Sequence, residues 1–293
     1  MAAITRQNML SGLKVRQAMR RNPLRLEQGQ SLDLAISSLI KYKANAALIQ
    51  DQDRENDLGL TSKTDLMALY YAGLPLETTL DQVLVAPILS CNQENTLETA
   101  LSLLLEKNIK RVYVRAEQEG QILGVLSFAD IVGLLYRFCY RCEKSLSRSQ
   151  KRHGLDQTLL VQDVMHQEVV SCRPEDSISQ ALETLSMQPF SALLVQDNQG
   201  GLPGVLSKTD LILAYRHSLP LEASVQEISS APALSCSRQE TLVQALQRMI
   251  LADVHRLFVH GPDPWDIQGV LSLTDAARAR SGSCRACTAS RLQ

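Results

Sequence analysis

Apolar residues along the chain fall into two patterns that alternate, and each returns four times. One is helical: Leu97, Ala100, Leu101 and Leu104, and again Leu242, Ala245, Leu246, Met249 and Ile250, stand three and four apart, which buries one face of a helix. The other is a compact apolar run, Ala46–Ile49, Val112–Val114, Ala192–Val195 and Leu257–Val259, of the length of a buried strand. Short strands are predicted before the helices, at Leu24–Leu26, Ile88–Cys91, Val169–Cys172 and Ala233–Cys236. The helices start at Ser31, Thr96, Ser177 and Thr241, side chains that cap free backbone N–H groups, and Ser177 with Gln180 and Thr241 with Gln244 have capping-box spacing. Each compact strand leads through a polar loop to a last strand and a closing helix such as Asp65–Tyr70. The predicted unit is β-α-β-β-α, an α/β (α+β) fold.

The last turn of every unit carries the same punctuation: Gly59–Asp65, Gly124–Asp130, Gly204–Asp210 and Gly269–Asp275 all read glycine, two further residues, serine, two residues, aspartate. One such match is weak, whereas four at regular spacing define a repeat. Shifting the chain by 145 positions lays Gly59–Asp130 on Gly204–Asp275 without a gap, with 28 of 72 pairs identical. A more diverged copy at a spacing of 65 links Asp65 to Asp130 and Asp210 to Asp275. The expected division is repeat 1 at 13–75, repeat 2 at 80–142, a linker at 143–156, repeat 3 at 157–220, repeat 4 at 225–280 and a cysteine-containing tail at 281–293.

Bulk properties narrow the partners. The chain has 293 residues, 45% of them hydrophobic and 21% charged, with a net charge of −1, which gives no long-range pull toward nucleic acid or an anionic membrane. No apolar run is long enough to span a bilayer. Met1–Lys14 lacks the apolar stretch of a signal peptide, so a cytoplasmic location is expected. Seven cysteines in that setting read as free thiols or ligands rather than a disulfide framework. Four of them form two Cys-x-x-Cys pairs related by the same offset of 145, Cys139 with Cys142 and Cys284 with Cys287. They could hold zinc or an Fe–S cluster, act as redox switches, or simply sit one turn apart on a helix. Cys91, Cys172 and Cys236 read as small buried residues. The five histidines have no zinc-protease spacing, and neither a P-loop nor a dinucleotide-binding glycine pattern occurs, so no catalytic set is predicted.

Four β-α-β-β-α units, paired and each ending in Gly-h-x-Ser-x-x-Asp, resemble CBS domains arranged as two Bateman modules. The fourth unit, with Val254–Val259 followed by Gly269–Asp275, is similar to the repeats of the gamma subunit of AMP-activated protein kinase. That resemblance implies a regulatory protein, not an enzyme, that binds adenine nucleotides (AMP, ADP or ATP) between paired repeats. It also implies that modules pair head to head, within one chain or as a homodimer, and that a regulated protein reads the change. An S-adenosylmethionine or cyclic-dinucleotide sensor on the same fold, or a metal- or redox-sensing regulator using the Cys-x-x-Cys pairs, are the alternatives.

The residues suit a nucleotide on their own chemistry. An ionised aspartate only accepts hydrogen bonds and therefore matches ribose hydroxyls, while a serine hydroxyl and a helix N-terminus favour phosphate. Ser62 with Asp65, Ser127 with Asp130, Ser207 with Asp210, and Ser272 with Asp275 are the candidate contacts. The motif glycine would let a base or ribose approach the strand. Basic pairs on the neighbouring strand, Lys110-Arg111 and His255-Arg256, would meet phosphates. Repeats 1 and 3 have Asn45-Ala46 and Ser191-Ala192 at those places and lack such a pair. The competing expectation is purely structural, with each aspartate a helix N-cap and each serine a turn residue. Lys63 and Lys208, inside the motif, could reach phosphate but are expected in solvent.

Overall fold

The computed structural model describes residues 12–116, 120–134, 136, 159–187, 190–197 and 203–283. In chain order, repeat 1 contains β1 (Arg20–Arg21), β2 (Arg25–Glu27), α1 (Leu32–Lys41), β3 (Ala46–Gln50), β4 (Asp57–Ser62) and α2 (Lys63–Tyr71). Repeat 2 has β5 (Ser90–Asn92), α3 (Leu97–Glu106), β6 (Arg111–Arg115), β7 (Ile122–Ser127) and a helix α4 over 128–134. Repeat 3 has β8 (Ser171–Cys172), α5 (Ile178–Met187), β9 (Ala192–Val195), β10 (Gly204–Ser207) and α6 (Lys208–Arg216). Repeat 4 has β11 (Ser235–Ser237), α7 (Leu242–Leu251), β12 (Arg256–His260), β13 (Ile267–Ser272) and α8 (Leu273–Ser283).

All four repeats form the same small mixed sheet. The first strand runs parallel to the second and the second antiparallel to the third, so the compact apolar strands β3, β6, β9 and β12 are central. Helix starts follow the capping rules: the hydroxyls of Ser31, Thr96, Ser177 and Thr241 each accept from the N–H three residues on. The two expected capping boxes close through Ser177 N to Gln180 and Thr241 N to Gln244. At the far ends, Lys43, Asn108 and Asp253 adopt φ of 49°, 50° and 54°. There the paired bonds Lys43 N to Ile40 O and Ala44 N to Leu39 O, repeated after α3 and α7, turn the chain straight into the central strand.

The compact units are not contiguous in sequence. The described residues of 23–88 and 169–233 form one unit, built on repeats 1 and 3, and the other described residues form the second, built on repeats 2 and 4. Each repeat is preceded by a short segment with a 3-10 turn, and these segments change places. Residues 13–21 dock on repeat 2, through Val15 N to Asn95 O, Leu97 N to Leu13 O and the pairing of β1 with β7. Residues 78–85 dock on repeat 1, through Leu80 N to Gln30 O and the bridge of Leu60 with Val85. The second half repeats the exchange, with Val161 and His166 on repeat 4 and Val225 and Ser230 on repeat 3. Each segment buries one apolar anchor completely (Val15, Leu80, Val161, Val225), worth about 1.5–3 kcal/mol apiece.

In the unit of repeats 1 and 3, one core runs from Leu32, Ile36, Leu66 and Met67 to Ile178, Leu182, Leu211 and Ile212. Tyr70 and Tyr215 stack at its centre, with ring centroids 4.9 Å apart, and each hydroxyl donates across to the other repeat, to Leu219 O and Leu74 O. Arg216 pairs with Asp33 at 2.9 Å and Tyr71 donates to Glu183. In the unit of repeats 2 and 4, the core joins Val15, Leu97, Leu104, Val112 and Ile131 to Val161, Leu242, Met249, Leu257 and Ala276. No helix among the described residues is long and apolar enough to cross a membrane.

Candidate functional site

The motif turn has one geometry in all four repeats. The serine, not the aspartate, is the N-cap, and the aspartate closes a capping box by accepting the serine N–H and hydroxyl on the same oxygen, Oδ2. The two distances are 2.7 and 2.7 Å for Ser62–Asp65, 2.8 and 2.6 Å for Ser127–Asp130, 2.7 and 2.7 Å for Ser207–Asp210, and 2.9 and 2.5 Å for Ser272–Asp275. The expected structural assignment of the two residues is therefore reversed, and a carboxylate suits the third helical position because it also faces the positive end of the helix. Oδ1 of each aspartate is left for another partner.

The glycine also has a different task from the one expected. A Cβ on Gly124 would stand 2.6 Å from Arg20 O and on Gly269 2.5 Å from His166 O; on Gly59 it would meet Val85 O at 2.8 Å, and on Gly204 it would meet Ser230 O less tightly, at 3.1 Å. The space is filled by the exchanged segment, not kept for a base or ribose.

In the unit of repeats 2 and 4, the turn after α3 or α7 delivers the basic pair to the head of the central strand. Arg111 then lies directly across the ladder from Ser127, and Arg256 from Ser272. Lys110 of repeat 2, an exposed residue, stands within electrostatic reach of repeat 4: its pKa is lowered first by partial desolvation, then by Arg256 and Arg278, against the pull of Asp275. Arg256 is pushed down to about 10 by burial, again opposed by Asp275. Several cations thus gather around one carboxylate at a junction of the two repeats, an arrangement favourable to an added anion. His255 is exposed at the edge of this group.

The unit of repeats 1 and 3 is different. Ala46 faces Ser62 and Ala192 faces Ser207. Asp65 and Asp210 make no ion pair among the described residues. Lys63 and Lys208 are not in solvent: Lys63 is buried and donates to Thr209 Oγ1 at 2.8 Å, while Lys208 donates to Thr64 Oγ1 at 2.7 Å. Their reciprocal hydrogen bonds tie the two repeats together.

Two residues outside the expected set reach the aspartates. Arg20 Nε meets Asp130 Oδ1 at 2.9 Å, and His166 Nε2 meets Asp275 Oδ1 at 2.8 Å. They come from the exchanged segments and correspond at an offset of 146. A basic residue at both places was the one available signal, since repeats 1 and 3 receive Val85 and Ser230 there.

Cys172 and Cys236 are buried and Cys91 half-buried, all reduced, with thiols pushed up by burial to about 12, 12 and 11. They are packing residues. Cys139, Cys142, Cys284 and Cys287 lie outside the described residues. Among the described residues no group of three or more His, Cys, Asp or Glu gathers to hold a metal.

The CBS domain family model matches residues 80–137, 161–217 and 225–282, the second, third and fourth repeats. This chain belongs to the CBS domain family. Repeat 1, outside those matches, has the same strands, helices and motif turn as its CBS sisters. The CBS chain is similar over 91% of its length to 99% of protein MJ1225 from Methanocaldococcus jannaschii, described as a candidate archaeal homolog of g-AMPK, with a TM-score of 0.76 and 14% identity. It also resembles a conserved protein from Pyrococcus horikoshii, covering 92% of this chain and 100% of that one, with a TM-score of 0.57 and 18% identity. Both likenesses concern the fold.

Proposed function

We propose that this CBS protein is a non-enzymatic sensor that binds an adenine nucleotide (AMP, ADP or ATP) at the clefts of repeats 2 and 4 and passes the signal to a regulated protein. The observation that carries the reading is the gathering of basic residues there: Lys110 and Arg256 both lie within electrostatic reach of Asp275, Arg111 and Arg256 stand across the ladder from Ser127 and Ser272, and His255 adjoins Arg256. Phosphates match the cations, and ribose hydroxyls match the carboxylate. The clefts of repeats 1 and 3 lack the basic pair and hold their motif lysines in hydrogen bonds with threonines, so they are weaker sites or empty ones. Signalling requires that nucleotide bind one arrangement of the repeats more tightly than another.

Calorimetry with AMP, ATP and S-adenosylmethionine tests this. AMP or ATP binds with Kd below about 1 mM, and Arg256→Ala weakens binding to the repeat 4 cleft by roughly 10- to 100-fold, the value of a charge-assisted hydrogen bond. Binding of S-adenosylmethionine alone, or of none of the three, refutes the assignment.

A further inference from the structure

The carboxylates that would receive a ribose are already occupied. In both charged clefts Oδ2 is saturated by the motif serine, and Oδ1 is covered by a basic residue that the exchanged segment brings in. The cover is close, because the aspartate side chains keep only 9% and 7% of their exposure, yet Arg20 and His166 are themselves 60% and 59% exposed and free to swing outward. Backbone pairing of Arg20 with Val125 and of His166 with Val270 fixes their main chain against the motif strand, so only the side chain moves.

We propose that Arg20 and His166 are specificity-setting positioning residues: each holds its cleft's aspartate in the ligand-free state and must release Oδ1 before a ribose can bind. The inference rests on the nucleotide reading above and adds to it that the two clefts differ. Arg20 brings a planar fork of N–H donors to Asp130, whereas His166 brings Asp275 a single ring nitrogen, so the two carboxylates are held by different chemistry. Asp275 also lies within electrostatic reach of Arg256 on β12 and of Lys110 from repeat 2.

Adenosine is the probe, because it carries the ribose without the phosphate. Asp275→Ala isolates the repeat 2 cleft and Asp130→Ala isolates the repeat 4 cleft. In the first background, Arg20→Ala tightens adenosine binding about two- to fivefold, the range of a partly exposed ion pair, and Arg20→Lys does not. In the second, His166→Ala likewise tightens adenosine binding about two- to fivefold, and His166→Gln, which keeps a hydrogen-bonding side chain beside Asp275, does not. Unchanged adenosine affinity in Arg20→Ala or in His166→Ala overturns the proposal for that residue and leaves the nucleotide reading standing. Failure of adenosine and AMP to bind the parent and every variant overturns both.

Discussion

Thr61 offers a clean test of how these repeats are packed. It lies in β4, fully buried, and its hydroxyl has no hydrogen-bond partner among the described residues. The corresponding residues of the other repeats are Leu126, Leu206 and Leu271, all fully buried too. Repeat 1 therefore places a polar group where its sisters place only hydrocarbon. An unpaired buried hydroxyl costs about 1–3 kcal/mol. Replacing it by a methyl of nearly the same shape also gains a buried carbon, worth about 0.8 kcal/mol. Thr61→Val is expected to stabilise the unit of repeats 1 and 3 by roughly 1–2 kcal/mol after packing adjustments. The reverse change at the equivalent site, Leu206→Thr, should destabilise the same unit by roughly 2–4 kcal/mol, because it removes buried hydrocarbon and leaves a hydroxyl unpaired. Urea denaturation followed by circular dichroism reads both as shifts in midpoint at constant slope. If Thr61→Val is neutral or destabilising while Leu206→Thr loses stability, the Thr61 hydroxyl is satisfied and the argument from its isolation fails.

Further expectations follow from the pseudo-symmetry of the same unit. Ser218 closes α6 at φ 52°, where repeat 1 uses Gly73 at φ 70°. Ser218→Gly should stabilise by about 0.5–1 kcal/mol, the left-handed strain of about 1–2 kcal/mol less the added freedom of the unfolded chain. A loss of stability on thermal melting would show that the serine makes a compensating contact. Tyr70 and Tyr215 are pushed up to about 12, by burial first and then by Glu222 and Glu77. A phenol whose pKa is raised on folding contributes stability that is complete below its unfolded value near 10 and is lost as pH rises through about 12. The tyrosinate absorbance that Tyr70→Phe removes should therefore be a component that appears only with alkaline unfolding, and the substitution should flatten that pH dependence; removal of a component that titrates before unfolding would contradict the burial.

The four units were legible because apolar periodicity, capping residues and turn chemistry are local signals, and fourfold recurrence removed the ambiguity that a single Gly-x-x-Ser-x-x-Asp carries. What stayed hidden depends on distant partners. Nothing in Lys63 or Lys208 announces a threonine in the other half of the chain, and an N1 lysine read alone belongs in solvent. The roles of serine and aspartate were inverted for a local reason, since both residue types suit a helix start and only geometry separates N-cap from third position. The exchange of leading segments left no local trace, because residues 13–21 and 78–85 present the same turn to either sheet. That exchange also explains why Arg20 and His166 escaped notice: in sequence they stand far from the aspartates they touch.

The pairing of repeat 1 with repeat 3, and of repeat 2 with repeat 4, bears on how freely the two halves can differ. A chain holding only the first two repeats would lose the partners that repeats 3 and 4 supply to each core, among them Tyr215 against Tyr70, and a second identical chain could supply them instead. Such a pair of identical chains would carry the same residue at both equivalent places. With both halves in one polypeptide, arginine stands on Asp130 and histidine on Asp275, and Lys110 leads one basic pair where His255 leads its counterpart. The aspartates thus keep one backbone setting while their surroundings diverge.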